Sequence, residues 1–292
     1  MRVRYPFPPP PTAPLQGSCT RFAPAPTGWL HLGHVLNALH VWNAAHALGA
    51  RVVLRIEDHD RERSRPAFEA GILDDLDWLG FAPDVHPTAE FREGRCEGRQ
   101  SDREAVYDGA LQLLVGRKLV YACGCSRRAL ATGEAPGGLD RVYPGTCRDL
   151  GLPLAEGYGL RVALPQEAEA FDDGLLGPQV QAPFLQCGDM LIRDRVGNWT
   201  YQFAAAVDDH AMGIDLVIRG RDLLASTGRQ IQVARLLGRP TPATFLHHPL
   251  VMKSADQKLS KSDLDVGVRD LRAAGWTPDD VFAEVERAVT RF

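Results

Sequence analysis

The stretch Arg21-Phe-Ala-Pro-Ala-Pro-Thr-Gly-Trp-Leu-His-Leu-Gly-His34 constrains this chain more than any other. It follows a short apolar segment, Cys19 to Phe22, that reads as the end of a strand. It then passes Pro24, Pro26 and Gly28, which forbid regular structure. His31, Gly33 and His34 arrive at the mouth of an amphipathic helix predicted over Val35 to Leu48. A strand, a turn and a helix N-terminus in that order make an anion site in parallel α/β folds. Gly33 lets a nucleotide lie against the backbone. The imidazoles of His31 and His34 can donate hydrogen bonds to phosphate. A pattern of four residues also opens ordinary solvated helices, so its meaning depends on what else the chain carries.

A second polar element, Lys258-Leu-Ser-Lys-Ser262, stands near the other end, with Met252, Lys253 and Gln257 ahead of it. Between the two elements the chain alternates predicted strands and helices. Arg51 to Glu57 is a β-branched run suited to a buried parallel strand. It ends in Glu57-Asp58-His59-Asp60, where α/β proteins place ligands, although Asp and His are also ordinary turn residues. Pro66 to Leu79 reads as a helix stopped by Gly80. Arg92, Arg95, Arg99 and Arg103 would form one basic stripe on a helix, or a solvated face paired with Glu93 and Glu97; Gly94 and Gly98 weaken the helix. Ala105 to Leu119 is amphipathic and leads into a strand over Leu119 to Ala122. Further strands are predicted at Gly159 to Leu164, Val180 to Gln186, Met190 to Arg193 and Leu216 to Ile218. Helices are predicted through Ala204 to Val207, over Thr227 to Leu237 and over Thr277 to Thr290. Arg219, at the end of a buried strand, is either a carboxylate or phosphate clamp or one half of an ion pair with a nearby aspartate.

The 292 residues suffice for one large or two moderate cores, and 45% hydrophobic with 24% charged residues is the balance of a globular protein. No apolar run approaches a membrane span. Met1 to Gln16 is proline-rich, lacks the apolar core of a signal peptide, and is expected to be an extended tail. A net charge of −4 confines any nucleic-acid contact to a local basic patch. A cytoplasmic location and a monomer are expected. Six cysteines without a secretory signal argue for thiols or a metal site. Cys123-Gly-Cys125 followed by Cys147 supplies three ligands of a tetrahedral zinc site, or else a set of buried reduced cysteines. Cys19, Cys96 and Cys187 lie outside that spacing and are expected to be plain thiols.

Taken together, Arg21 to Gly28, His31-Leu-Gly-His34, Arg55-Ile-Glu-Asp58, Val207-Asp-Asp-His210, Val217-Ile-Arg-Gly220 and Lys258 to Ser262 resemble the catalytic domain of glutamyl-tRNA synthetases, class I aminoacyl-tRNA synthetases. The resemblance runs from about Cys19 to Ser262. Only 30 residues follow, too few for a helical anticodon-binding region. With Cys-x-Cys…Tyr-x-x-x-Cys, that makes the chain similar to the glutamyl-Q tRNA(Asp) synthetase family. The resemblance implies a Rossmann-like α/β domain divided as tail 1–17, first half 18–120, inserted zinc-binding and acceptor subdomain 121–194, second half 195–245, and lysine-serine loop with C-terminal helices 246–292. It implies ATP-dependent, tRNA-independent activation of glutamate and transfer to queuosine in tRNA(Asp). It implies glutamate contacts from Arg21, Ala23, Ala25, Glu57, Tyr201 and Arg219. ATP would meet His31, Gly33, His34 and Lys261, with His31, His34, Lys258 and Lys261 catalytic. Cys123, Cys125, Tyr143 and Cys147 would hold one structural Zn²⁺, and Mg²⁺ would accompany ATP. Family members often carry serine where this chain has Ala25. A shortened glutamyl-tRNA synthetase charging the tRNA 3′ end, a non-catalytic tRNA-binding paralogue and a small-molecule nucleotidyltransferase are the competing readings.

Overall fold

The computed structural model describes residues 17–126, 142–250 and 267–290. Strands β1 (Cys19–Phe22) and β2 (Arg51–Leu54) lie parallel, Cys19 opposite Arg51 and Phe22 opposite Leu54. A parallel pair needs a crossover, and α1 (Leu32–Leu48) provides it. The helix starts three residues before the predicted Val35, because His31 itself caps it. Strand β2 is shorter than the predicted run to Glu57. Past Leu54 the chain stays extended but divides its partners: Arg55 N donates to Phe22 O, Ile56 N to Gly98 O and Glu57 N to Pro24 O. Pro24 has no N–H to return, so the regular ladder ends there.

Helix α2 (Pro66–Leu79) has the predicted limits, with proline in the first turn and Gly80 as its cap. The arginine stripe does not form. Helix α3 (Thr88–Arg92) stops at the first arginine, and Gly94 breaks the path with a φ of 123°. Arg92 pairs instead with Asp74 and Asp77, Arg99 with Glu69 and Asp102, and Arg103 with Glu97 and Asp208. Helix α4 (Glu104–Gly116) follows, and then β3 (Val120–Cys123).

Strands β3, β4 (Gly159–Val162) and β7 (Met190–Arg193) form a small antiparallel sheet in the order β3-β4-β7. The segment expected to be a single insertion serves two sheets. Between β4 and β7 the chain forms β5 (Glu169–Asp173) and β6 (Gly177–Gln181), which extend the main sheet. The strand predicted over Val180 to Gln186 ends at Gln181, because Pro183 opens a short helix, α5 (Pro183–Cys187). Helix α6 (Tyr201–Ala211) leads to β8 (Ile214–Gly220), and α7 (Thr227–Leu236) to β9 (Thr244–His248). The main sheet reads β2-β1-β8-β9-β5-β6, parallel except for β6.

Both faces of that sheet are covered. Leu216 and Ile218 of β8 join Phe22, Leu36 and Leu54 in one core, while Val217 joins Ile231 and Phe245 in another. Alternating side chains buried on opposite sides are what a covered parallel sheet requires. Helices α8 (Val268–Ala273) and α9 (Pro278–Thr290) return to the first core, burying Val268, Val281, Phe282 and Val285. No helix among the described residues is long and apolar enough to cross a membrane. Lys258 to Ser262 lie outside the described residues.

Two buried histidines make stability sensitive to acid. His40 on α1 stacks on His248 of β9, ring centroids 4.3 Å apart. Burial, with the charge of His248 adding to it, pushes His40 down to about 2, and burial, with the charge of His247 adding to it, pushes His248 to about 4. A folded-state pKa below the unfolded value near 6.5 means that the unfolded chain binds protons first. Denaturant midpoints should therefore hold above pH 6.5 and fall steadily from there toward pH 4. His40→Gln should flatten that slope; a slope unchanged by the substitution would remove His40 from the account.

Candidate active site

A cavity of about 370 Å³ opens outside the C-terminal ends of β1 and β8. It lies where the strand order turns, with β2 on one side of β1 and β8 on the other, the usual ligand position in open α/β sheets. Arg21, Ala23, His31, Gly33, His34, Glu57, Tyr201 and Arg219 all line it. Ala25 does not: it sits in the turn, where its carbonyl accepts from Thr27 N at 2.8 Å. Lys258 and Lys261 lie outside the described residues.

The two histidines of the turn lock each other. His31 Nδ1 accepts from Gly33 N at 3.1 Å, and His34 Nδ1 accepts from His31 N at 3.2 Å. This is a capping box built from imidazoles. Because each Nδ1 accepts, each neutral ring carries its proton on Nε2, which is then the donor for a ligand. Gly33 is needed for the arrangement, since a Cβ there would lie 2.9 Å from the His31 ring.

Below the cavity lies an ionic core. Arg55, with no exposed surface, donates to Asp209 Oδ1 at 2.6 Å and to Glu57 Oε1 at 2.8 Å. Asp209 also accepts from Arg21 Nε at 3.1 Å, and Arg21 Nη1 donates to the Ile218 carbonyl. Burial would raise the Asp209 carboxyl, but Arg21 and Arg55 hold it down at about 2. Its neighbour Asp208 accepts from Gln100, Arg103 and Tyr107. Consecutive aspartates on α6 thus face two networks, one ending at the cavity and one bracing α4. Burial, then the Glu57 charge, raises the Tyr201 phenol, which stays protonated. Across the cavity Arg219 donates to His247, Gln230 and Thr227. Its partners are neutral side chains, and among the described residues the ion pair with a nearby aspartate left open by the sequence does not form. Two arginines and one carboxylate around one cavity complement a small ligand with two carboxylates and an ammonium. The paired imidazoles beside them complement phosphate.

The sequence flagged Arg55, Asp208 and Asp209 only as members of motifs. Thr227, Gln230, His247 and Asp173 carried no signal beyond polar residues in otherwise apolar segments.

About the small sheet, Cys123, Cys125 and Cys147 bring their sulfurs within 4.8 Å of one another. Cys125 and Cys147 are 3.6 Å apart, and Cys123 lies 3.6 Å from the Tyr143 hydroxyl. Tetrahedral zinc with bonds of about 2.3 Å to sulfur sets sulfur–sulfur edges of about 3.8 Å, so the donor set fits a metal ion. Burial opposes ionisation of Cys123, yet the Arg161 guanidinium and the Tyr143 hydroxyl bring its thiol down to about 7. Gly188 allows Tyr143 to be there: with φ of 67°, its place would put a Cβ 2.1 Å from the Tyr143 carbonyl oxygen. A second group, His86, Glu90 and Cys96, is closed by its own hydrogen bonds, and burial pushes the Cys96 thiol up to about 12. The six cysteines are free thiols.

Comparison with known proteins gives the family of this chain. The catalytic-domain family described as tRNA synthetases class I (E and Q) matches residues 19–290. Glutamyl-Q tRNA(Asp) synthetase of Symbiobacterium thermophilum is 44% identical over 275 residues, 90% of this chain and 84% of that protein. The protein of the same name from Rhodobacter capsulatus is 40% identical over 283 residues, 90% of this chain and 97% of the other. A solved glutamate tRNA ligase from Elizabethkingia meningosepticum, in complex with its amino acid, superposes with a TM-score of 0.70 at 29% identity. The match covers 89% of this chain and 54% of that one, so this chain spans about half the ligase. The fold is that of a class I synthetase catalytic domain of the E and Q type. Within that class the chain belongs to the glutamyl-Q tRNA(Asp) synthetase family.

Proposed function

We propose that this chain activates glutamate with ATP and transfers the glutamyl group to queuosine in tRNA(Asp). The observation that carries the reading is the single cavity in which Arg21, Arg219 and Glu57 stand beside the capped imidazoles of His31 and His34. Arg21 and Arg219 each hold one glutamate carboxylate, Glu57 accepts from the ammonium, and Ala23 and Tyr201 shape the wall. The Nε2–H groups of His31 and His34 donate to ATP phosphates, and Gly33 leaves room for the nucleotide. The α-carboxylate attacks the α-phosphorus, one P–O bond forms, another breaks, and pyrophosphate leaves. A hydroxyl of the queuosine ring then attacks the adenylate carbonyl and AMP leaves. Protein groups position the reactants and spread charge, which needs no strong base at the first step. Mg²⁺ enters with ATP. Lys258 and Lys261 belong to this reading on their motif alone.

Glutamate- and ATP-dependent pyrophosphate exchange tests it. Exchange without tRNA, followed by labelling of queuosine-containing tRNA(Asp), is the expected result. Exchange only with tRNA would favour charging of a tRNA 3′ end. No exchange under either condition would overturn the enzymatic reading.

We also propose that Cys123, Cys125, Tyr143 and Cys147 hold one zinc ion, whose role is structural. Cys147→Ser should lower bound zinc from about one per chain to well below half by elemental analysis. Equal zinc in both proteins would sink the assignment.

A further inference from the structure

Arg219 is held from behind in a way that leaves part of its guanidinium for a ligand. A guanidinium has five N–H groups. Nε–H donates to His247 Nε2 at 3.0 Å, Nη1 to Gln230 Oε1 at 2.7 Å, and Nη2 to Thr227 Oγ1 at 2.9 Å. Among the described residues these are its hydrogen bonds. One hydrogen remains on each terminal nitrogen, the fork that suits a carboxylate.

His247 decides whether that fork can point into the cavity. Its ring has no exposed surface. Because Nε2 accepts from Arg219, the proton must sit on Nδ1, which faces Asp173 Oδ2 at 2.5 Å. Asp173 is fixed in turn by the N–H groups of Leu175 and Leu176. The Phe245 ring stacks on the imidazole at an interplanar angle of 9°. The three polar residues come from the adjacent strands β5, β9 and β8, so the sheet sets their spacing.

The charge arrangement is unlike that of Arg21, which donates directly to the Asp209 carboxylate. On Arg219 a neutral ring stands between the guanidinium and the Asp173 carboxylate. We infer that His247 and Asp173 are positioning residues that aim the two remaining N–H groups of Arg219 at a carboxylate of the amino acid and leave its charge without a directly bonded anion. The inference rests on the glutamate-activating reading. It makes the sheet position behind the cavity part of amino-acid recognition.

A protonated ring would turn an N–H against the Arg219 N–H and break the support. The charged groups facing it are Asp173 on β5, Arg219 on β8 and Arg21 on β1. Burial keeps the imidazole below its usual range even though Asp173 opposes this, so the ring is neutral at pH 7.

The test measures glutamate binding by titration calorimetry and the KM values for glutamate and ATP by pyrophosphate exchange, both at pH 7. His247→Leu should weaken glutamate binding and raise its KM about tenfold or more while the ATP KM moves less than about twofold, as loss of one hydrogen-bonded support to a charged group predicts. His247→Gln offers an amide oxygen to Arg219. It should recover most of that loss. Unchanged glutamate affinity in folded His247→Leu would overturn the inference while leaving the glutamate reading intact. Parallel changes for glutamate and ATP, with no recovery in His247→Gln, would reduce the pair to a structural role and also overturn it. If the wild-type protein binds no glutamate, both the inference and the glutamate reading fall.

Discussion

Arg55→Met should cost about 3–5 kcal/mol of stability, the usual penalty for removing one partner from a buried ionic cluster. Arg55 has no exposed surface and stands among Glu57, Asp208 and Asp209, with Nη1 and Nη2 bonded to two of them. Methionine fills much of the volume but leaves those carboxylates without their common cation. Asp209, held at about 2 by Arg21 and Arg55 together, would rise, because only burial and Arg21 would then act on it. For a chain of this size the melting temperature should drop by roughly 10 °C. The remedy for the orphaned carboxylates is protonation, so the variant should lose less stability at pH 5 than at pH 7. A melting temperature within about 2 °C of wild type at both pH values would mean that the cluster contributes nothing net, as well-packed apolar replacements of buried ion pairs sometimes show.

Arg219→Ala should raise the glutamate requirement about a hundredfold, with a far smaller effect on ATP. Two charge-assisted hydrogen bonds at about 1.5 kcal/mol each account for that factor. The substitution leaves behind His247, Gln230 and Thr227, all neutral, so no buried charge is stranded and the fold should survive. That separates it from Arg55→Met, where stability and activity fall together. An unchanged glutamate dependence in exchange assays would take Arg219 out of the pocket.

Which parts of this site the sequence could disclose follows from where the information sits. The His31 to His34 turn and the Pro66 to Gly80 helix are written in neighbouring residues: caps, glycines and prolines that act within a few positions. Arg21, Glu57 and Arg219 stand at strand ends, where a polar residue after an apolar run is conspicuous. Strand β5 is different. Glu-Ala-Phe-Asp-Asp has one large apolar side chain, and it becomes a strand through pairing with β6 and β9. The Asp173–His247 contact joins positions 74 apart, and neither residue has a local reason to be special. The arginine stripe failed for the opposite cause. Periodic spacing suggested a helix, but Gly94 and tertiary carboxylates on α2 and α6 took the arginines one by one. Ala25 was expected at the wall through resemblance alone, and the turn between Pro24 and Pro26 holds it elsewhere.

The route of the chain between β3 and β7 limits how the protein can be recombined. The segment that begins at the paired cysteines passes through Asp173 before it returns to the small sheet, and Tyr143 N donates back to the Cys187 carbonyl beyond it. A chimaera that exchanged residues 121–194 for those of a relative would import a new cysteine-bearing module and, in the same cut, a new floor beneath Arg219. Amino-acid preference would travel with a piece of chain whose other end lies at the cysteine cluster.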